Sequence, residues 1–147
     1  PHRHAQAHVR RTSHTGARSV SHLDISVLHR TRRNEASIAL AGEGTGASKI
    51  RLLDAPGGTL LGVRTLADPC GAIVVATGRI QLAQATADDL VVASGSAGYA
   101  EWVNGDDVVI ATGAVTDAAG AGPFKLTGGT ALYAGGILRL VEPALLG

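Results

Sequence analysis

The sequence predicts an all-β protein, an antiparallel β-sandwich of the Ig-like or jelly-roll-like kind, preceded by a short helix and an extended basic N-terminal arm. Three observations predict it. Apolar runs broken by Gly, Pro and Asp recur about every 10 to 12 residues from Lys49 onward, the rhythm of short strands joined by tight turns. Aromatics make up only 3% of the chain, so Val, Ile, Leu and Ala must fill the core, while 20 Gly supply sharp turns and close backbone approaches. The charge is also split. Residues 1–33 hold seven Arg and one acid, a net +6 with His neutral, whereas residues 34–147 hold six Lys or Arg and eleven acids, a net −5. At 147 residues the chain suffices for one domain with one core.

The elements follow in order. Residues 1–33 are polar and thin in apolar side chains, so alone they bury too little surface to offset their ordering entropy. They read as an arm that orders against another surface, with Val20, Leu23, Ile25, Val27 and Leu28 giving some β or docking character. Residues 34–147 read as the sandwich body with its short N-terminal helix. In RNEASIALAGEG, residues 33–44, Asn34 suits an N-cap, Glu35 the first turn and Gly42 and Gly44 the stop, which predicts two to three helical turns. GEGTG is no phosphate loop, because it follows a helix and lacks the Gly-Lys-Ser/Thr ending.

From Lys49 the pattern turns to β. KIRLLD (49–54) and TLLGVRTL (59–66) flank the turn APGG, and ADPCG breaks the second run at Pro69, which has no N–H to donate. AIVVATGRIQLA (72–83) carries Gly78 as a bulge. After QATADD come LVVAS, GYAEWVN, DDVVIATGAV, PFKLTG and TALYAGGILRLVEPAL. In GYAEWVN, period-two alternation sets Ala100 and Trp102 on one face and Tyr99, Glu101 and Val103 on the other. Asn104-Gly105 predicts a hairpin, since both residues tolerate positive φ. Trp102, the only Trp, is therefore a core anchor, with Asp106 and Asp107 solvated near a hairpin tip.

The sequence offers little catalytic chemistry. All six His precede position 30, so no Ser-His-Asp arrangement is available to the body. Nearly all the candidate carboxylates, Asp54, Asp68, Asp88, Asp89, Glu101, Asp106 and Asp107, fall at strand ends or turns. No catalytic residue is assigned, and neither an enzyme nor a cofactor is expected. The adjacent pairs Asp88-Asp89 and Asp106-Asp107 lack a series of Ca²⁺ ligands. His2, His4 and His8 are irregularly spaced, so no metal site is assigned. The single Cys70 reads as a buried free thiol. No apolar run reaches the length of a membrane span and no N-terminal stretch resembles a secretory signal, so a soluble chain is expected.

Several stretches, taken in order, resemble a family of small virion-associated structural proteins of tailed bacteriophages and prophages. They are Arg33-Asn34, KIRLLD at 49–54, GTLLGVRTLADP at 58–69, ASGSAGYAEWVNGDD at 93–107 and KLTGGTALYAGGILRL at 125–140. The family's Arg after the Trp strand and the Tyr of its first strand are absent here, at Val103-Asn104 and Leu53, and the basic arm lies outside its pattern. The resemblance implies a β-sandwich component of the virion, assembled in the host cytoplasm. Within that class the expectation is a capsid decoration or cement protein that self-associates and contacts the major capsid protein or other virion proteins. The arm is its tether, through Arg3, Arg10, Arg11, Arg18, Arg30, Arg32 and Arg33. A tail, collar or fibre-attachment (baseplate) role and a carbohydrate-binding module using Trp102 and Tyr99 with Glu101 are the alternatives. Nucleic acid is a further partner for the arginines, disfavoured because no aromatic residue is interleaved to stack on bases.

Overall fold

A computed structural model describes residues 23–86 and 88–147. One helix, α1 (Val27–Ala41), precedes eleven strands: β1 (Lys49–Leu53), β2 (Leu60–Ile73), β3 (Ile80–Gln84), β4 (Asp89–Leu90), β5 (Gly95–Ser96), β6 (Tyr99–Val103), β7 (Val109–Asp117), β8 (Phe124–Leu126), β9 (Ala131–Leu132), β10 (Ile137–Leu138) and β11 (Leu145–Leu146). With 43% strand against 12% helix, the protein is all-β. Seven strands form one sheet in the order β11-β3-β2-β1-β6-β7-β8, while β10 pairs with β4 and β5 with β9.

The sheet is antiparallel except at one place. β8 runs parallel to β7, with Val115 opposite Phe124. A link as short as residues 118–123 permits this because it doubles back flush along β7. A Cβ on Gly120 would meet Thr116 at 2.4 Å, and one on Gly122 would meet it at 2.8 Å. The ends of the sheet are then brought together by the C-terminal segment. Thr127 N–H donates to the Arg139 carbonyl and Val141 N–H to that of Lys125, which ties residues 139–141 to β8. Leu82 N–H donates to the Ala144 carbonyl, and β11 pairs with β3. One segment thus spans both ends of the sheet, and the sheet is nearly closed. Its inward side chains, among them Ile50, Leu52, Leu61, Leu66, Ile80, Trp102, Phe124 and Leu126, form the core.

Three expectations need correction. The helix starts at Val27, not at Asn34, because Ser26 is the N-cap and its hydroxyl accepts from His29 N–H at 3.1 Å. Asn34 lies inside the helix, buried, with Nδ2 donating to the Gly78 carbonyl at 2.7 Å. The packing stripe Arg30, Asn34, Ile38, Ala41 has helical spacing and starts inside the stretch read as arm, which is why the helix takes in residues 27–33. Pro69 does not end a strand. β2 runs through it, and Pro69 falls where the β2–β3 register shifts between Leu66 and Gly71, so its missing donor costs no ladder bond. Gly78 is not a bulge but closes the turn between β2 and β3, donating to the Val74 carbonyl at 2.8 Å with φ +73.

That glycine is also the seat of the helix. A Cβ there would lie 2.7 Å from the Val27 carbonyl oxygen and 2.8 Å from the Thr31 hydroxyl. Gly78→Ala therefore combines a disfavoured φ with a backbone clash and is expected to cost about 2 kcal/mol or more in urea unfolding. A variant as stable as the parent would show that the helix is not seated there.

Candidate functional site

Trp102 lies in β6 and is 2% exposed. Its indole N–H donates to the Ser48 hydroxyl at 2.7 Å, and that hydroxyl donates to the Val103 carbonyl at 2.7 Å. The buried polar edge of the ring is thereby satisfied, and its apolar body fills a core otherwise poor in large side chains. A buried ring is no platform for a sugar. Tyr99 and Glu101 lie on the opposite face, where Arg51 reaches Glu101 at 3.7 Å across the β1–β6 pair.

The hairpin after Trp102 is present, with a different turn chemistry from the one Asn104-Gly105 predicts. Asp107, not Asn104 or Gly105, takes the positive φ, +61. The Asn104 side-chain oxygen accepts from Asp106 N–H and Val108 N–H at 3.0 Å each. Gly105 is required for close approach, since a Cβ there would lie 2.5 Å from the Gly46 carbonyl oxygen. Asp106 accepts from Thr45 N–H at 2.9 Å, and Asp107 is 3.9 Å from the Lys49 ammonium. Asp106 thereby fastens the 42–47 loop to the hairpin.

Three of the other candidate carboxylates are also taken. Asp54 accepts from Thr59 N–H at 2.8 Å, Asp88 pairs with Arg139, and Asp89 serves a group that sequence reading missed. Arg64, in β2, is 1% exposed among apolar neighbours. Its Nε donates to Gln84 Oε1 at 2.7 Å, Nη1 to Asp89 Oδ2 at 3.0 Å, and Nη2 to the Thr86 carbonyl. The signal was present: in TLLGVRTL, Gly62, Arg64 and Leu66 alternate on the inward face, so one inward position is a guanidinium. Among the described residues no three or more His, Cys, Asp or Glu are grouped to hold a metal ion, and no helix is long and apolar enough to cross a membrane.

The arginines assigned to the arm divide in two. Arg3, Arg10, Arg11 and Arg18 lie outside the described residues. Arg30, Arg32 and Arg33 sit on α1. Arg30 Nη1 donates to the Thr77 carbonyl at 2.9 Å and so helps hold the helix to the β2–β3 turn. Arg32 pairs with Glu35 at 3.0 Å on the exposed face, where Arg33 also lies. Of the three, Arg32 and Arg33 face outward and Arg30 is used in fastening the helix.

A cavity of about 420 Å³ opens where the two ends of the sheet meet, walled by Leu82, Phe124, Leu140 and Pro143 with Arg79 and Lys125 at its polar positions. Arg79 Nη2 donates to the Leu145 carbonyl at 3.2 Å and so braces the closing segment. Cys70 is buried in the core, and desolvation pushes its thiol up from 9.0 to about 11. No protein-family model, no curated protein and no solved structure matches this chain.

Two outcomes follow from this geometry. Trp102→Ala is expected to lower stability by about 3 to 5 kcal/mol in chemical denaturation, the cost of an emptied aromatic site in a core; a variant that unfolds like the parent would return Trp102 to the surface. Cys70 is expected to resist iodoacetamide at pH 8 in the folded chain and to react on denaturation. Between pH 9 and about 11 the folded state keeps a proton that the unfolded state has lost, so stability should fall as pH rises through that window. Full labelling of the native protein at pH 8 would contradict the burial.

Proposed function

We propose that this chain is a structural, non-enzymatic component of a tailed-phage virion, a capsid decoration or cement protein whose basic N-terminal arm tethers it to neighbouring subunits. The observation that carries the reading is the division of charge, +6 on residues 1–33 against −5 on the rest. Opposite net charge on arm and body favours docking of one subunit's arm on another's body, and the guanidiniums of Arg3, Arg10, Arg11 and Arg18 suit bidentate pairing with surface carboxylates. The anchoring of α1 supports it too. Asn34 and Arg30 tie the helix to the 74–78 turn, so tension on the arm is delivered to the sheet instead of to a loose linker. A β-sandwich architecture belongs to the same proposal.

The test is removal of residues 1–22 from the protein made during phage assembly. The truncated chain is expected to keep the thermal unfolding midpoint of the parent and to be absent from purified particles. Incorporation at the parent's copy number would overturn the tether. Because charge carries the docking, release of the full-length protein from particles should increase with salt over the range in which exposed ion pairs are screened.

A further inference from the structure

We propose that the outer face of the ribbon formed by residues 89–96 and 131–138 is the surface by which two copies of this chain associate. The two stretches lie antiparallel side by side. Leu90 is opposite Ile137 in the β4–β10 pair and Gly95 opposite Leu132 in the β5–β9 pair. Between them, Val91 N–H donates to the Gly136 carbonyl, and Gly135 and Ala134 N–H reach the Val91 carbonyl and the Ser94 hydroxyl.

On either side of a turn in which Gly136 N–H donates to the Tyr133 carbonyl, alternation in the paired ends of this ribbon separates two faces. Val91, Leu132 and Leu138 point inward and are buried. The outward positions should then be polar, as they are on a solvated sheet. Four of them are not: Leu90, Val92, Tyr133 and Ile137 are 60%, 64%, 72% and 57% exposed. The remaining outward residues, Ser94, Ser96 and Ala131, are uncharged. A two-stranded ribbon apolar on both faces has the pattern of one that is covered on both. Four large apolar side chains so placed make a patch on the order of 400 Å², the size of the largest patch on a typical soluble monomer, which is often a functional one.

The chemistry of the patch selects its occupant. The face carries no charge, so it offers the arginine-rich arm no carboxylate to pair with. At its border stand one acid and one base, Asp88 and Arg139, about half exposed. A second copy presents the same uncharged centre with the same balanced border, so two copies meet across a two-fold axis without like charges in excess. Strand-edge pairing is the weaker route. Residues 139–146 occupy the free sides of β8 and β3, and the open stretch of β7 is bent by a register shift at Ile110, a common guard against edge pairing.

This association deepens the reading of the chain as a self-associating virion protein, but it does not involve the arm. Light scattering coupled to size exclusion, run on the full chain up to about 100 μM, is expected to give a dimer. Ile137→Glu and Ile137→Lys, each placing like charges in the shared face, are expected to give monomers with the parent's unfolding midpoint. Mixing them one to one should restore a dimer. Tyr133→Lys, at the most exposed of the four positions, repeats the test should the variants at 137 fail to fold. A monomeric parent, or charge variants that remain dimeric, would overturn the proposal and leave the test of the arm untouched.

Discussion

The fold depends on a buried cation. Arg64 sits near the middle of β2, facing inward beside the apolar side chains of β1, in a place where an unpaired guanidinium would cost several kcal/mol. It is accepted there because its partners come from segments far apart in the chain. Asp89 Oδ2 receives both the guanidinium and Thr65 N–H, which holds the start of β4 against β2. Thr86 supplies its carbonyl, and the loop between β3 and β4 is thereby wrapped over the end of the side chain. Gln84 Oε1 accepts from Arg64 Nε and also from Leu140 N–H, while its amide donates to Glu142. One side chain thus connects the centre of the sheet to the 84–89 loop and to the segment that closes the sheet. An apolar residue of similar size would fill the space and leave those three pieces without a common partner, so the Arg contributes specificity of arrangement more than net stability.

The same logic explains the acids. A chain with this composition can show many carboxylates at turns that serve local fastening instead of forming one acidic site. Asp54 and Asp106 accept from backbone N–H groups of neighbouring turns, Asp117 does the same for Ala119 and Gly120, and Asp88 and Asp89 meet arginines. Short polar side chains satisfy loop donors that a chain with many turns and little helix otherwise exposes. Their function is to define loops, and the loops in turn define how the ribbons lie on the core.

Much of this was legible in the sequence. The alternation in GYAEWVN put Trp102 and Ala100 inside and Tyr99 and Glu101 outside, and the all-β class followed from strand rhythm. What was not legible had physical causes. The helix start was hidden because Ser26 and Asn34 are both good capping residues, and only the seat made by Gly78 decides between them. β2 read as ending at Pro69 because sequence shows the lost donor but not the register shift that makes the loss harmless. The parallel β7–β8 pair rests on two glycines packed against Thr116, a tertiary contact with no local signature. Of the arginines assigned to the arm, Arg30 proved to be part of the helix seat, since its donor role is set by the Thr77 carbonyl from another part of the chain.

The closed sheet bears on how such a chain meets other molecules. The C-terminal segment hydrogen-bonds to β8 with one half and to β3 with the other, so the edge groups of those two strands are used internally, and the open stretch of β7 is bent by its register shift. Contacts with partners are then left to side chains. The two contacts proposed for this chain differ in kind: one uses the arginine-rich N-terminal sequence, which is charged, and the other the outer face of the 89–96 and 131–138 ribbon, which is mostly apolar and uncharged. They call for different partners and respond to opposite conditions. Salt weakens the first by screening, whereas apolar contact at the second is insensitive to moderate salt and is strengthened by salts excluded from protein surfaces. A protein that holds one contact of each kind can be bound to its own copy and to a different neighbour at the same time, without the two competing for one surface.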